Sequence, residues 1–452
     1  MEYLTQWLGA LTLASLILAL LLINLWKHPT FKGRVLIAYF LGCLAFILLK
    51  WGMRLDLAMY DAEKYHRYGV CIADLLRADF WGNLPLILTP YAAYTLPLGL
   101  TYFIFGAFEP VGQILNAAVA LLVLVQLHRL AERWFGPQIA RRSLLLLALY
   151  PYGWILACTL NRDMPILYCI VLFFRVLAEV SSPGPGTSRQ HLYLTGLAAF
   201  VYMGLLRPPL LVLGAMAGFV FWMIPAFKAR GEQRLFRVAK LIFLLLILGM
   251  GSAIFLVSGK YYMATSRLER EATQFSDVDN MNQRLKISED ANSAYLKGVR
   301  YSSYLDVLRI MPEASLYFMF SPLPWQIRSF KQMLGLVDSF WLLVVFWYGC
   351  KGLKALIRRN RKVGLSLLAY LGVGIAVSSV LQANVGSAMR HRTMFFLLLF
   401  PLALEGLRLA GRWPLARRAR RPALLRLRET GAQVPPLPGA VPLPPVLLEG
   451  KS

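Results

Sequence analysis

Apolar residues in this chain fall in long unbroken runs rather than in alternation, and the runs repeat from the first residues to about position 410. A helix rises about 1.5 Å per residue, so a run of about 20 residues crosses the roughly 30 Å hydrocarbon interior of a bilayer. Strands of a membrane barrel would instead show about 10-residue segments alternating apolar and polar positions. The pattern predicts an all-α polytopic membrane protein of about eleven spans, near residues 3–26, 35–52, 110–128, 143–160, 164–180, 192–206, 209–227, 239–257, 334–350, 363–381 and 393–410. Composition agrees: 58% of the 452 residues are hydrophobic and only 16% are charged, which excludes a soluble enzyme of this length. No internal repeat is evident.

Charge sets the orientation. Glu2 precedes the first run, and Lys27, Lys32 and Arg34 follow it, the reverse of a signal peptide's basic start. The N-terminus is therefore expected outside and the C-terminus in the cytoplasm, and most of the 48 Lys and Arg then fall on inner segments. The net charge of +25 reads as topology, and no zinc-finger, RNP or helix-turn-helix pattern accompanies it to suggest a nucleic-acid partner. The five cysteines, at 43, 71, 158, 169 and 350, form no CxxC pair and imply neither a disulfide framework nor a metal knuckle.

Three regions follow. Residues 1–34 form a first span and inner loop, and residues 35–410 a transmembrane core with two long outer loops, 53–109 and 258–333. Residues 411–452 form a cytoplasmic tail, basic and then proline-rich, that composition marks as disordered. The segment 84–108 is apolar but broken by Pro85, Pro90 and Pro97. It is expected to lie in or dip into the outer interface, because a full span there would turn Arg129, Arg133, Arg141 and Arg142 outward.

Since the long loops face outward, any chemistry is expected there. The first carries Asp56, Asp61, Glu63, Asp74 and Asp79 with Tyr65, His66 and Arg67 just beyond a span. A helix there puts Asp61, Tyr65 and Tyr68 on one face. A carboxylate among apolar neighbours at the membrane boundary is expected to have a raised pKa, suited to a general base; the alternative is ordinary solvated loop charge. Arg162 and Asp163 occupy a tight outer turn, CTLNRDMPI, either as a mutual pair capping the adjoining helices or as functional residues. Asp163 and Pro165 also suit the first turn of the next helix.

Arg207 stands alone at another outer turn, LLRPPLL, where snorkelling explains it equally well. Arg390, His391 and Arg392 mark the mouth of the last span, where two arginines run against the positive-inside bias and imply an anionic partner such as a phosphate. Binding a lipid headgroup without catalysis is the other reading of that pair. The second outer loop closes on YFMFSPLPWQIRSF, an interfacial segment that would serve as a lid or acceptor surface. Walker A, Rossmann, HExxH and Ser-His-Asp patterns are lacking.

Taken in order, YDAEKYHRYG, YAAYTLPLGLTYFIFG, ILNAAVALLVLVQLHRLAERWFG, NRDMPI and MRHRTMFFLLLFPL resemble the GT-C superfamily of membrane glycosyltransferases, specifically family 39-like members. Those include protein O-mannosyltransferases and lipid A aminoarabinose transferases. The resemblance covers most of residues 35–410 and implies juxtamembrane helices in the first outer loop. It also implies a polyprenyl-phosphate sugar donor and transfer to an envelope glycan or lipid on the outer face of a bacterial inner membrane. By that resemblance Asp61 is the catalytic carboxylate and general base of an inverting transfer, and Asp163 the second acidic position. Arg390, Arg392 and Arg207 would bind the donor phosphate, and Tyr65, His66 and Arg162 would contact donor or acceptor. The chain departs from the protein O-mannosyltransferase pattern at Ala62, where an adjacent acidic residue is usual, and this disfavours a protein acceptor. Two carboxylates are too few to specify Mg²⁺ or Mn²⁺, so a divalent cation is left open. The readings of other classes are a lipid-linked-sugar transporter or flippase and a polysaccharide polymerase.

Overall fold

The computed structural model describes residues 2–54, 61–79, 82–83, 91–184, 186, 188–224, 278–289, 294–327 and 330–411. The expected span 239–257, Asp56 and most of the tail lie outside these residues. Among the described residues the chain is helical, with one isolated antiparallel bridge between Ala294 and Asn384. Residues Met1–Gly406 form one compact unit. Among the described residues, six helices are long and apolar enough to cross a membrane.

The first two are α1 (Glu2–Lys27) and α2 (Phe31–Gly52). Leu8, Leu11, Leu20 and Trp26 of α1 are exposed, as suits a helix whose solvent is lipid. Then α3 (Ala62–Ala78) and α4 (Ala92–Phe105) pack as a pair through glycines, Gly69 against Leu98 and Tyr102, and Gly99 against Ile72. Helix α3 buries Tyr65, Gly69, Ile72 and Leu76 along one stripe. Helix α4 has 14 residues, about 21 Å of rise, which falls short of the hydrocarbon thickness. Residues 84–90, which precede it, lie outside the described residues.

Helices α5 (Glu109–Phe135) and α8 (Asp163–Ser181) pack face to face at the centre and are the most buried of the six. Between them the expected single span 143–160 is instead two helices, α6 (Pro137–Ala148) and α7 (Pro151–Ala157). Pro151 has no N–H with which to continue the hydrogen-bond ladder of α6, and the Trp154 indole donates to the carbonyl of Ala148, the last residue of α6, at 2.6 Å. The Lys50 ammonium at the end of α2 donates to the Cys158 carbonyl, at the C-cap of α7, at 3.0 Å. The next pair is α9 (Arg189–Leu206) and α10 (Pro209–Met223).

The second outer loop contributes α11 (Val278–Glu289) and α12 (Tyr304–Phe320), the latter started by a Ser303–Asp306 capping box. Phe318 packs on Phe395 and Phe320 on Phe346 and Phe396, so the close of α12 dips among the core helices. Last come α13 (Phe330–Arg359), α14 (Arg361–Leu381) and α15 (Val385–Leu409). Helices α13 and α15 touch backbone to backbone: a side chain at Gly352 would collide with the Leu402 carbonyl, and one at Gly406 with the Tyr348 carbonyl.

Ser181 and Asn360 are hydrogen-bonded to each other at 2.9 Å and 3.1 Å, Arg162 reaches the Leu206 carbonyl, and Asp61 and Asp163 meet at Arg390.

Candidate active site

Asp61 is the N-cap of α3 yet makes no capping bond, so its carboxylate is free to turn outward from its helix. Asp163 opens α8, and Arg390 lies in the second turn of α15. These three come together. Arg390 donates through Nη1 to Asp61 Oδ2 at 2.8 Å and through Nε to Asp163 Oδ2. Side-chain exposure falls from 30% at Asp61 through 14% at Arg390 to 1% at Asp163, so the cluster opens at Asp61. Two buried atoms in it have no hydrogen-bond partner, Arg390 Nη2 and Asp163 Oδ1.

Burial alone would raise the Asp61 pKa, but the hydrogen bond and charge of Arg390, helped by Arg162 and Lys64, outweigh it and hold the carboxyl below its ordinary value. This corrects the raised pKa expected from the apolar surroundings: the neighbour that matters is a cation 329 positions away in sequence. Of the two readings of Arg162, the mutual pair with Asp163 is not seen; its Nη1 donates to the Leu206 carbonyl at 3.0 Å, tying the α8 turn to the end of α9.

Tyr65 is buried and packs edge-on against Tyr94 and Tyr91, with ring centroids 4.9 Å and 6.1 Å apart. Burial raises its phenol pKa, so it stays protonated. The Lys64 ammonium bonds the Tyr91 hydroxyl at 2.7 Å on the half-buried flank beside Asp61. For Lys64, burial disfavours the charge, but Tyr91, Tyr68 and Asp61 prevail and its pKa rises. His66 faces the other way: its Nδ1 lies 2.8 Å from the Tyr102 hydroxyl, and burial, only partly opposed by Glu109, lowers its pKa. His66 therefore packs α3 onto α4 and does not join the carboxylates.

Arg207 reaches α15 one residue beyond Arg390, with Nη2 2.6 Å from His391 Nε2 and Nη1 3.3 Å from Met394 Sδ. It flanks the cluster without bonding either carboxylate. Arg392 does not come to the cluster at all. Its side chain is fully buried and donates to Asp338, to Ser339 Oγ and to the carbonyls of Met319 and Ser321. It closes the C-terminal end of α12, where unpaired helix carbonyls inside the packed core need a donor. The expected role of Arg392 as a phosphate ligand is corrected on that ground, because a guanidinium so enclosed has no route to a substrate.

Asp338 was missed by the sequence reading, although an acid within the apolar run 334–350 is the usual sign of a buried partner. Asn116 and Asn161 were missed as well. They are buried, and Asn116 Nδ2 donates to the carbonyls of Thr159 at 2.6 Å and Asn161 at 3.0 Å. As for a metal, Asp61 and Asp163 are the nearest donor set, but one guanidinium already stands between them, and no group of three metal-ligating side chains occurs among the described residues. Arg390 is the guanidinium that both carboxylates share.

No family model matches the sequence, and no curated protein matches it either. Among solved structures, the crystal structure of ArnT from Cupriavidus metallidurans bound to undecaprenyl phosphate is similar at 16% identity, over 84% of this chain and 61% of that one, with a TM-score of 0.43. The chain thus spans about three fifths of the length of that protein.

Proposed function

We propose that this protein is a GT-C membrane glycosyltransferase that moves a sugar from a polyprenyl-phosphate donor to an envelope glycan or lipid, with inversion, at the outer membrane face. The observation that carries the reading is the three-residue cluster. Carboxylates from two separate outer segments share one guanidinium, and that guanidinium keeps an unpartnered N–H at Nη2. The ordered sequence motifs that resemble the superfamily place the same residues at its acidic and basic positions.

Arg390 engages Asp61 through Oδ2, and Asp61 is the most exposed member of the cluster, where an acceptor hydroxyl can reach its carboxylate. Asp61 takes the hydroxyl proton as the oxygen attacks the anomeric carbon, and polyprenyl phosphate departs. General-base help of this kind contributes about 10²- to 10⁴-fold in rate. A carboxylate held at low pKa is a weak base, and the donor itself relieves this. Phosphate oxygens that accept from Arg390 draw the guanidinium from Asp61, so basicity rises only when the leaving group is seated. Arg390 then stabilises the charge growing on the phosphate. Asp163 keeps Arg390 in place, and Arg207 and Lys64 add positive potential on either flank.

The test is mass spectrometry of envelope lipids and glycans from cells with wild-type protein, with Asp61→Asn and with none. The proposal expects one sugar unit to be missing from the same species in the last two. Identical envelope masses in all three would sink it.

A further inference from the structure

We infer that Asn161, braced by Asn116, is the positioning residue that keeps the Asp163 carboxylate turned toward Arg390. The inference rests on Asp163 belonging to the site proposed above. The first turn of a helix presents backbone N–H groups without intrahelical acceptors, and a short carboxylate placed there tends to fold back and cap them. Asp163 occupies such a place, the first residue of α8, and Arg162 at the N-cap makes no side-chain cap. The acceptor is Asn161. Its Oδ1 takes the N–H of Asp163 at 3.0 Å and of Met164 at 3.3 Å. With those donors satisfied, the Asp163 carboxylate is released from its own helix; Oδ2 engages Arg390 and Oδ1 remains without a partner.

The asparagine cannot turn away. Its Nδ2 is enclosed by the Leu156 carbonyl at 2.7 Å, the Thr159 carbonyl at 3.0 Å and the Thr159 hydroxyl at 2.9 Å. Asn116 on α5 grips the same turn from the side through the Thr159 and Asn161 carbonyls. Tyr94 on α4 in turn donates its hydroxyl to Asn116 Oδ1 at 3.3 Å. A chain of buried amides thus runs from the juxtamembrane pair to the start of α8, and a polar chain of this kind holds one geometry when every member is satisfied.

A double-mutant cycle separates positioning from mere stabilisation of a turn. Full-length protein is assayed in cells as the initial rate at which the sugar-bearing envelope species appears after induction, with thermal unfolding of the purified protein measured in parallel. Asn161→Ala is expected to slow transfer about 10²-fold, the usual effect of a displacement near 1 Å. That matches the loss from Asp163→Ala, and because the two residues act through one network the double variant is expected to be no slower than either single one. Asn161→Ser, which keeps a short capping acceptor, is expected to recover part of the rate, and it carries the same cycle if the alanine variant does not fold. Rate losses that multiply in the double variant, or near-normal transfer by Asn161→Ala, would overturn the inference. Normal transfer by Asp163→Ala would instead remove Asp163 from the site, and the proposed function would lose its second carboxylate.

Discussion

Arg390 and Arg392 stand two residues apart on α15 and bind carboxylates on different sides of it, Arg390 those of Asp61 and Asp163, and Arg392 that of Asp338. At about 100° per residue, side chains two positions apart diverge by about 200°. The same turn of helix therefore serves an open polar cluster on one side and a sealed ion pair on the other.

The sealed pair predicts a stability effect. Removing Arg392 leaves Asp338 charged and enclosed, and breaking a buried pair in this way costs about 3 to 5 kcal/mol. Arg392→Met is expected to lower the unfolding midpoint sharply, and Arg392→Met with Asp338→Leu to restore much of it. A single variant as stable as wild type would remove the pair from the account of the fold.

The open cluster predicts a catalytic effect. Asp61→Asn keeps shape and volume but cannot take a proton, so transfer should fall by at least about 10²-fold while yield and membrane insertion hold. The comparison to make is product formed per unit of purified protein.

Acid should erase what Asp61 contributes to stability. Its native pKa lies below the ordinary 3.8 of an aspartate, so the contribution is fully present above that value and is lost as pH falls through the depressed native one. Melting curves of wild type and Asp61→Asn should therefore be furthest apart near neutral pH and converge in strong acid. The charged groups facing Asp61 are Arg390, Arg162 and Lys64. A gap that widened on acidification would contradict the sign.

The α13–α15 crossing predicts a steric effect. Gly352→Leu would drive a side chain into the Leu402 carbonyl, and overpacking of this kind costs about 1 to 3 kcal/mol. Gly372, with open space around it, provides the control: its substitution by alanine is expected to leave the melting temperature nearly unchanged.

Much of the fold was legible because membrane solvent imposes a single strong pattern. The runs that predicted α1, α2, α5, α8, α13 and α14 are long and apolar, and helices stand there. Position 143–160 failed because hydropathy does not register the loss of one N–H at Pro151, which splits the run into α6 and α7. Asp61, Asp163 and Arg390 were legible as charges in places where charge is costly, but their shared site followed only from the family resemblance, since no local pattern links residues so far apart. Arg392 was misread for a related reason. Spacing tells that it faces away from Arg390, but only the packed core shows Asp338 and the end of α12 waiting there. Asn161 carried a local sign, an asparagine just before a helix start, that was overshadowed by its charged neighbours.

Asp61 is translated early and Arg390, its counterion, 329 residues later. While the ribosome is still producing the middle of the chain, the two acids wait without the guanidinium that fixes them. Only insertion of α15 brings in the guanidinium, so a product truncated before that helix would hold both acids without their shared counterion.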